Sequence, residues 1–146
     1  MRRLQTRICA KISKLMLKLK YLALGALVLL LGWFIFDSLN QPGVGDLKGD
    51  FQEIALYRNE NNTGPIVRVY AVMVADTLWQ QMRQYGDFMP YTKYGNTKVY
   101  FFRRGQQAPN VVRPGAVNFA PEFNQACLAK YEKGVMGNVS FQRYPL

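Results

Sequence analysis

The chain has 146 residues, of which 49% are hydrophobic, and it carries a formal net charge of +10. This length allows one small domain besides any anchoring segment. The positive charge does not predict a nucleic-acid partner, because seven of the nineteen lysines and arginines precede residue 21 while all nine acidic residues follow it. We therefore interpret the charge as a signal of membrane topology.

Residues 1–20 are predicted to form a basic amphipathic arm on the cytoplasmic side. Apolar residues recur every three or four positions from residue 4 to residue 19, as on one stripe of a helix. An adjoining stripe carries the basic residues Arg7, Lys11, Lys14 and Lys18. We expect this stripe to contact anionic lipid at the inner leaflet. Two alternatives are a cytoplasmic protein partner and charge that only sets topology.

Residues 21–36 contain no charged side chain and are predicted to be a transmembrane helix. Sixteen residues rise about 24 Å, and Lys18 and Lys20 can extend their ammonium groups to the headgroups to span the remaining thickness. The positive-inside rule places the N-terminus in the cytoplasm and the rest of the chain outside the cell (inner) membrane. The long basic region favours an uncleaved signal anchor over a signal peptide.

Gly25 and Gly32 lie seven residues apart and therefore on nearly the same face of this helix. Small residues allow close approach of a second helix in a membrane. We predict that both glycines contribute to helix packing.

The outer part is predicted to be a linker over residues 37–50 and an extracytoplasmic α+β domain over residues 51–146. Strand and helix patterns follow in the order β-β-α-β-α-β, which indicates two helices against one face of a four-stranded sheet. The predicted strands are 51–58, 66–75, 98–104 and 135–143, and the predicted helices begin after Asp76 or Thr77 and at Pro121.

The chain has no histidine, and its two cysteines fall on opposite sides of the membrane. These absences remove the commonest general base, the commonest metal ligand and any thiolate cluster. Among the outer carboxylates, only Asp87 lacks an evident local role in capping or solvation. We expect no enzyme, no cofactor and no metal site.

The segment from residue 91 to residue 104 is rich in aromatic and basic side chains. Tyrosine and arginine are enriched where proteins meet. Our candidate partner contacts are Tyr91, Tyr94, Tyr100, Phe102, Arg103 and Arg104. The strand within this segment is apolar on both faces, which also suits an internal strand that is covered on both sides.

These patterns predict a single-pass, non-catalytic accessory or structural subunit of a larger envelope or membrane protein complex. Its expected partners are other subunits of that complex. The alternative is a membrane-tethered binding or sensing module with an aromatic-lined outer site for a peptide or a cell-wall polymer.

Overall fold

The computed structural model describes residues 2–60 and 63–146, and within the first helix it describes the side chains of Met16 and of Lys18 onwards. The chain divides into two compact units, Met1–Pro42 and Gly43–Leu146. Each unit is described separately below.

The first unit is one continuous helix, α1 (Arg2–Leu39). Its segment Lys18–Leu39 has a mean hydropathy of 2.1 and is long and apolar enough to cross a membrane. At the C-terminal end of α1, the Phe36 carbonyl oxygen accepts hydrogen bonds from both the Asn40 backbone N–H (3.2 Å) and the Asn40 side-chain amide (2.9 Å). The unit is consistent with a membrane anchor.

The second unit is a mixed α+β domain built on a five-stranded sheet. The strands are β1 (Gln52–Arg58), β2 (Val67–Val74), β3 (Asn96–Arg103), β4 (Cys127–Lys133) and β5 (Val139–Arg143), and they lie in that order across the sheet. Strands β2 and β3 pair in parallel, and the other neighbours pair antiparallel. The parallel pair is joined through helix α2 (Trp79–Phe88), as a parallel connection requires a crossover.

The α+β class is thus confirmed, but the β-β-α-β-α-β order is wrong in its second half. The segment predicted to be a second helix forms a 3-10 segment (Pro121–Ala126) and then strand β4. Leucine, alanine, lysine and glutamate in β4 favour a helix locally. Pairing with both β3 and β5 outweighs that preference, because it buries Leu128 and Tyr131 in the core.

Helix α2 also differs from the prediction at its N-terminal end. It begins at Trp79, with Leu78 rather than Asp76 or Thr77 at the capping position. Gly86 lies inside the helix. A side chain at residue 86 would collide with the ring of Tyr131, so the glycine permits close packing of α2 on β4.

The segment predicted as a linker is divided between the two units. Helix α1 continues to Leu39, and the second unit starts at Gly43. Val44 and Leu47 pack against the domain core, and the Gly49 carbonyl accepts a hydrogen bond from the Ala75 N–H (3.1 Å). Only residues 40–42 lie between the end of α1 and the start of the second unit.

Both faces of the sheet are covered, each by a different kind of structure. On one face α2 packs over a core that includes Val72, Phe101 and Tyr131. On the other face the chain between β3 and β4, residues 104–126, covers Tyr100 and Phe102. We call residues 104–126 the loop layer.

Candidate functional site

The loop layer is held on the sheet by aromatic contacts. The ring of Phe119 packs edge-on against Tyr100 (4.9 Å between centroids) and Phe102 (5.3 Å). Val112 is also buried in this cluster. The layer is therefore a second wall of the core, although it contains no regular helix or strand apart from its final 3-10 segment.

Asn118 fixes the shape of the loop layer from within. Its side chain is buried, and its amide donates to the carbonyl oxygens of Arg113 (2.7 Å) and Gly115 (3.3 Å). Its side-chain oxygen accepts from the Tyr100 hydroxyl (2.7 Å) and the Lys98 ammonium (3.4 Å). Four hydrogen bonds on one buried amide satisfy its full capacity and tie the loop to β3.

Burial in this cluster raises the pKa of Tyr100 to about 12. The hydroxyl therefore stays protonated at neutral pH and acts as a donor to Asn118. The contact links β3 to the loop layer.

The outer surface of the loop layer contains an open cleft of about 600 Å³. Its walls are mainly apolar, with one basic and one acidic side chain. The lining residues include Val111, Arg113, Val117, Phe119, Glu122 and Phe123. Of these residues, Val111 is 58% exposed and Val117 is 69% exposed, whereas Phe119 is 6% exposed.

A smaller cavity of about 140 Å³ adjoins the cleft and shares three lining residues with it. Tyr100 and Leu146 also line this cavity, so it extends from the sheet to the last residue of the chain. Together the two spaces form a concave, aromatic-floored surface. A cleft of this size suits a small ligand or a few side chains of a peptide.

The structure separates the six residues that we predicted as one partner-contact region. Tyr100 and Phe102 are buried under the loop layer, so the prediction of a surface role is wrong for both. They occupy alternate positions of a central strand, and the strand is apolar on both faces because both faces are covered.

The remaining four lie at opposite ends of the sheet. Tyr91 and Tyr94 precede β3, and Tyr94 is 64% exposed. Arg103 and Arg104 lie at the other end of β3, where Arg104 forms an ion pair with Asp50 and Arg103 donates to the Thr77 hydroxyl (3.3 Å). They do not form one surface.

The predicted sites of the first unit can be located only in part. A side chain at Gly25 or Gly32 would meet no atom within 4 Å, and the anchor helix is exposed at both positions. Lys18 is exposed. The side chains of Arg7, Lys11 and Lys14 lie outside the described residues.

Two potentially reactive side chains of the domain, those of Asp87 and Cys127, have surroundings that suit a structural role. Asp87, which lacked a predicted role, accepts a hydrogen bond from the Tyr131 hydroxyl (2.7 Å). Burial raises the pKa of the Cys127 thiol to about 12, so it stays protonated. Within the described residues, no three histidine, cysteine or acidic side chains are grouped to hold a metal ion.

The cleft has no counterpart among the predicted sites. Its segment shows no helical or strand periodicity, so the sequence predicts no regular element there. One available signal was the placement of valines at residues 111 and 117 in a proline-containing loop, where exposed apolar side chains need an explanation. Which face of the sheet these valines would lie on depends on the fold.

Comparison with known proteins gives no relative for this arrangement. The chain matches no protein-family model, no curated protein and no solved structure.

Proposed function

We propose that this chain is a membrane-tethered, non-catalytic binding module whose cleft takes an apolar segment of another protein. The observation that carries the proposal is the cleft itself, which is lined by the exposed Val111 and Val117 together with the buried Phe119. Exposing these side chains costs the free domain hydrophobic stabilisation, which a bound apolar segment would recover.

The form of the loop layer supports binding without large rearrangement. Asn118 holds the segment from residue 113 to residue 118 closed on itself, and the Arg113 N–H donates to the Asn118 carbonyl (2.8 Å). Pro109, Pro114 and Pro121 further restrict the backbone. A site that is rigid before binding loses less conformational entropy when it is filled.

The chemistry of the walls favours a peptide over a cell-wall polymer. A polysaccharide presents many hydroxyl groups, each of which needs a hydrogen-bond partner when it is buried. The cleft instead offers mainly valine, proline and phenylalanine, with Arg113 and Glu122 as its charged groups. An extended peptide with one or two apolar side chains fits this composition.

Site-directed photocrosslinking in cells tests the proposal. A benzophenone amino acid at Val117 should give a discrete crosslinked protein, and one at Gln84, which is exposed on α2, should not. The purified partner should then bind the full chain directly, and Val117→Asp should weaken that binding roughly tenfold or more. The same adducts from both positions, or unchanged binding by Val117→Asp, would contradict the proposal.

A second candidate is the accessory subunit of a membrane complex, which the anchor helix supports. Gly25 and Gly32 leave open space on the helix, into which a neighbouring helix could pack. Replacing both with leucine should leave membrane insertion intact and reduce co-purification of other subunits in mild detergent. Recovery of a lone monomer from the unaltered chain would exclude this candidate.

Both candidates use the topology that the charge distribution favours. The basic arm lies in the cytoplasm, where Arg7, Lys11, Lys14 and Lys18 contact anionic lipid of the inner leaflet, and the domain lies outside the cell membrane. Neither candidate involves nucleic acid, since the domain carries only a small excess of positive charge.

A further inference from the structure

A second exposed surface lies at the end of the sheet where β2 and β3 begin. The turn between β4 and β5 meets the loop before β3 there, because the Met136 N–H donates to the Lys93 carbonyl oxygen (2.9 Å). The Tyr91 hydroxyl donates to the same carbonyl (3.2 Å). We call this surface the tip patch; it consists of Tyr91, Lys93, Tyr94, Lys133, Val135 and Met136.

The apolar side chains of the tip patch are turned to solvent. Tyr94 is 64% exposed, Val135 is 52% exposed and Met136 is 65% exposed. Met136 also has a left-handed backbone (φ 63°, ψ 15°), which is unfavourable for a residue other than glycine or asparagine. The domain thus presents a large apolar side chain from a strained turn without burying it, as binding surfaces often do.

Neither lysine of the tip patch forms an ion pair with a carboxylate among the residues that the structure describes. Lys133 lies over the ring of Tyr91 (5.0 Å from its centroid), and Lys93 lies over the ring of Tyr94 (5.5 Å). Ion pairs of the described residues involve Arg104 with Asp50 and Lys130 with Glu132, so neither tip lysine takes part. The patch therefore combines uncompensated positive charge with exposed aromatic and aliphatic groups.

We propose that the tip patch docks on the surface of a bilayer that contains anionic phospholipid. Lysine is depleted in the centre of protein interfaces, whereas it is favoured at lipid surfaces, where the ammonium reaches a phosphate and the stem stays in the apolar layer. Tyrosine is enriched at the same depth. Each lysine near such a surface contributes about a fivefold factor in affinity.

This inference is independent of cleft binding and differs from the predicted lipid contact of the N-terminal arm. It depends on the anchor, because attachment to a membrane gives the domain a high effective concentration of lipid surface. A weak contact of two lysines and three apolar side chains is then sufficient.

The test uses the full chain in lipid nanodiscs. Cys9→Ser removes one of the two native thiols, and the other, Cys127, is buried. An environment-sensitive fluorophore is attached at Met136→Cys, or at Gln106→Cys at the opposite end of β3 as a matched control. Nanodiscs contain phosphatidylcholine alone or phosphatidylcholine with phosphatidylglycerol at about 3:1, with nitroxide-labelled lipid as the quencher. Nanodiscs expose both membrane faces, so sidedness does not limit the result.

We expect lipid-dependent quenching at residue 136 in the anionic bilayer and little quenching there in phosphatidylcholine alone. At residue 106, which lies near the ion pair of Arg104 with Asp50 and so near the segment that leads to the anchor, any quenching should be the same in both bilayers. Lys93→Gln with Lys133→Gln should lower the equilibrium constant for docking roughly twentyfold, and added salt should act in the same direction. An unchanged urea midpoint would show that the two substitutions leave the fold intact.

Three outcomes would overturn the proposal. Residue 136 could stay unquenched in both bilayers, or be quenched equally in both, which would remove the role of anionic headgroups. It could instead be shielded from water without quenching by lipid, which would show that a second copy of the chain covers the patch. Each of these leaves the crosslinking result at Val117 unaffected, so the two proposals fail separately.

Discussion

Replacement of Gly86 by alanine separates local helix preference from packing, because the two predict opposite signs. Alanine is favoured over glycine in a helix interior by about 1 kcal/mol. In the structure, however, a methyl group at residue 86 would lie 2.3–2.5 Å from three ring carbons of Tyr131. Ordinary carbon contacts are about 3.5–4.0 Å, so the ring or the helix must move by about 1 Å.

Little room exists for that movement. The Tyr131 side chain is fully buried, and its hydroxyl is held by Asp87 at 2.7 Å. Overpacking of this kind costs about 1–3 kcal/mol and sometimes more. With about 3 kcal/mol for the clash and about 1 kcal/mol regained from helix preference, we expect Gly86→Ala to destabilise the domain by about 2 kcal/mol. The melting temperature should fall by roughly 10 °C.

The measurement is urea and thermal unfolding of the full chain in mild detergent. Trp33→Phe leaves Trp79 as the single tryptophan, and its ring contacts Tyr144 (5.6 Å between centroids), so its emission reports on the fold. Gln84→Ala is the control, since residue 84 is exposed on the same helix and should change stability by about 0.5 kcal/mol or less. A Gly86→Ala domain as stable as the parent would refute the close contact between α2 and β4.

Two further predictions concern charge. Burial raises the pKa of Tyr85 and of Tyr100 to about 12, from an ordinary value of 10.0, so the unfolded chain loses these protons first as the pH rises. The stabilisation from these two groups should be fully present below pH 10, and the free energy of unfolding should fall between pH 10 and 12 by up to about 1.4 kcal/mol per pH unit for each tyrosine. The urea midpoint measured across this pH range should show the fall. Tyr85→Phe should make the pH dependence of the urea midpoint less steep. The ion pair of Arg104 with Asp50 is 42% and 65% exposed, so Arg104→Ala should cost less than about 1 kcal/mol in the same assay, and a loss of several kcal/mol would contradict its surface character.

The first half of the domain could be predicted from sequence because each segment has one dominant pattern. The β-branched run that forms β2 and the turn residues before it favour a strand and a hairpin, and both are present. Strand β3 was apolar on both faces, and its position in the centre of the sheet confirms the interpretation as a covered strand.

The second half could not be predicted because spacing alone was ambiguous. Phe123, Cys127 and Tyr131 recur every four residues, which fits a helix and also fits alternate positions of a strand. A register shift in the pairing of β3 with β4 then places Cys127 in the core under the loop layer and Tyr131 in the core under α2. A local irregularity of this kind leaves no periodic signal.

The candidate site was hidden for a related reason. Tyr100 and Phe102 suggested an exposed aromatic surface, and only the fold shows that the loop layer covers them. The cleft is lined by residues of one segment, 109–123, which has no periodic pattern, and the hydrogen bonds of one asparagine, Asn118, hold part of that segment in shape. Composition indicated an aromatic binding surface, and tertiary packing decided which residues remain accessible.

The labelling rate of the buried Cys127 thiol can report how often the domain opens. Its thiol is 2% exposed and stays protonated, so an alkylating reagent reacts with it only in molecules that have opened around the register shift of β4. In a Cys9→Ser chain, the labelling rate at Cys127 would report how often the sheet and the loop layer separate, in detergent, in a bilayer or in whole cells. Occupancy of the cleft should lower the labelling rate of Cys127, because a ligand that binds only the closed loop layer reduces the population of the open state.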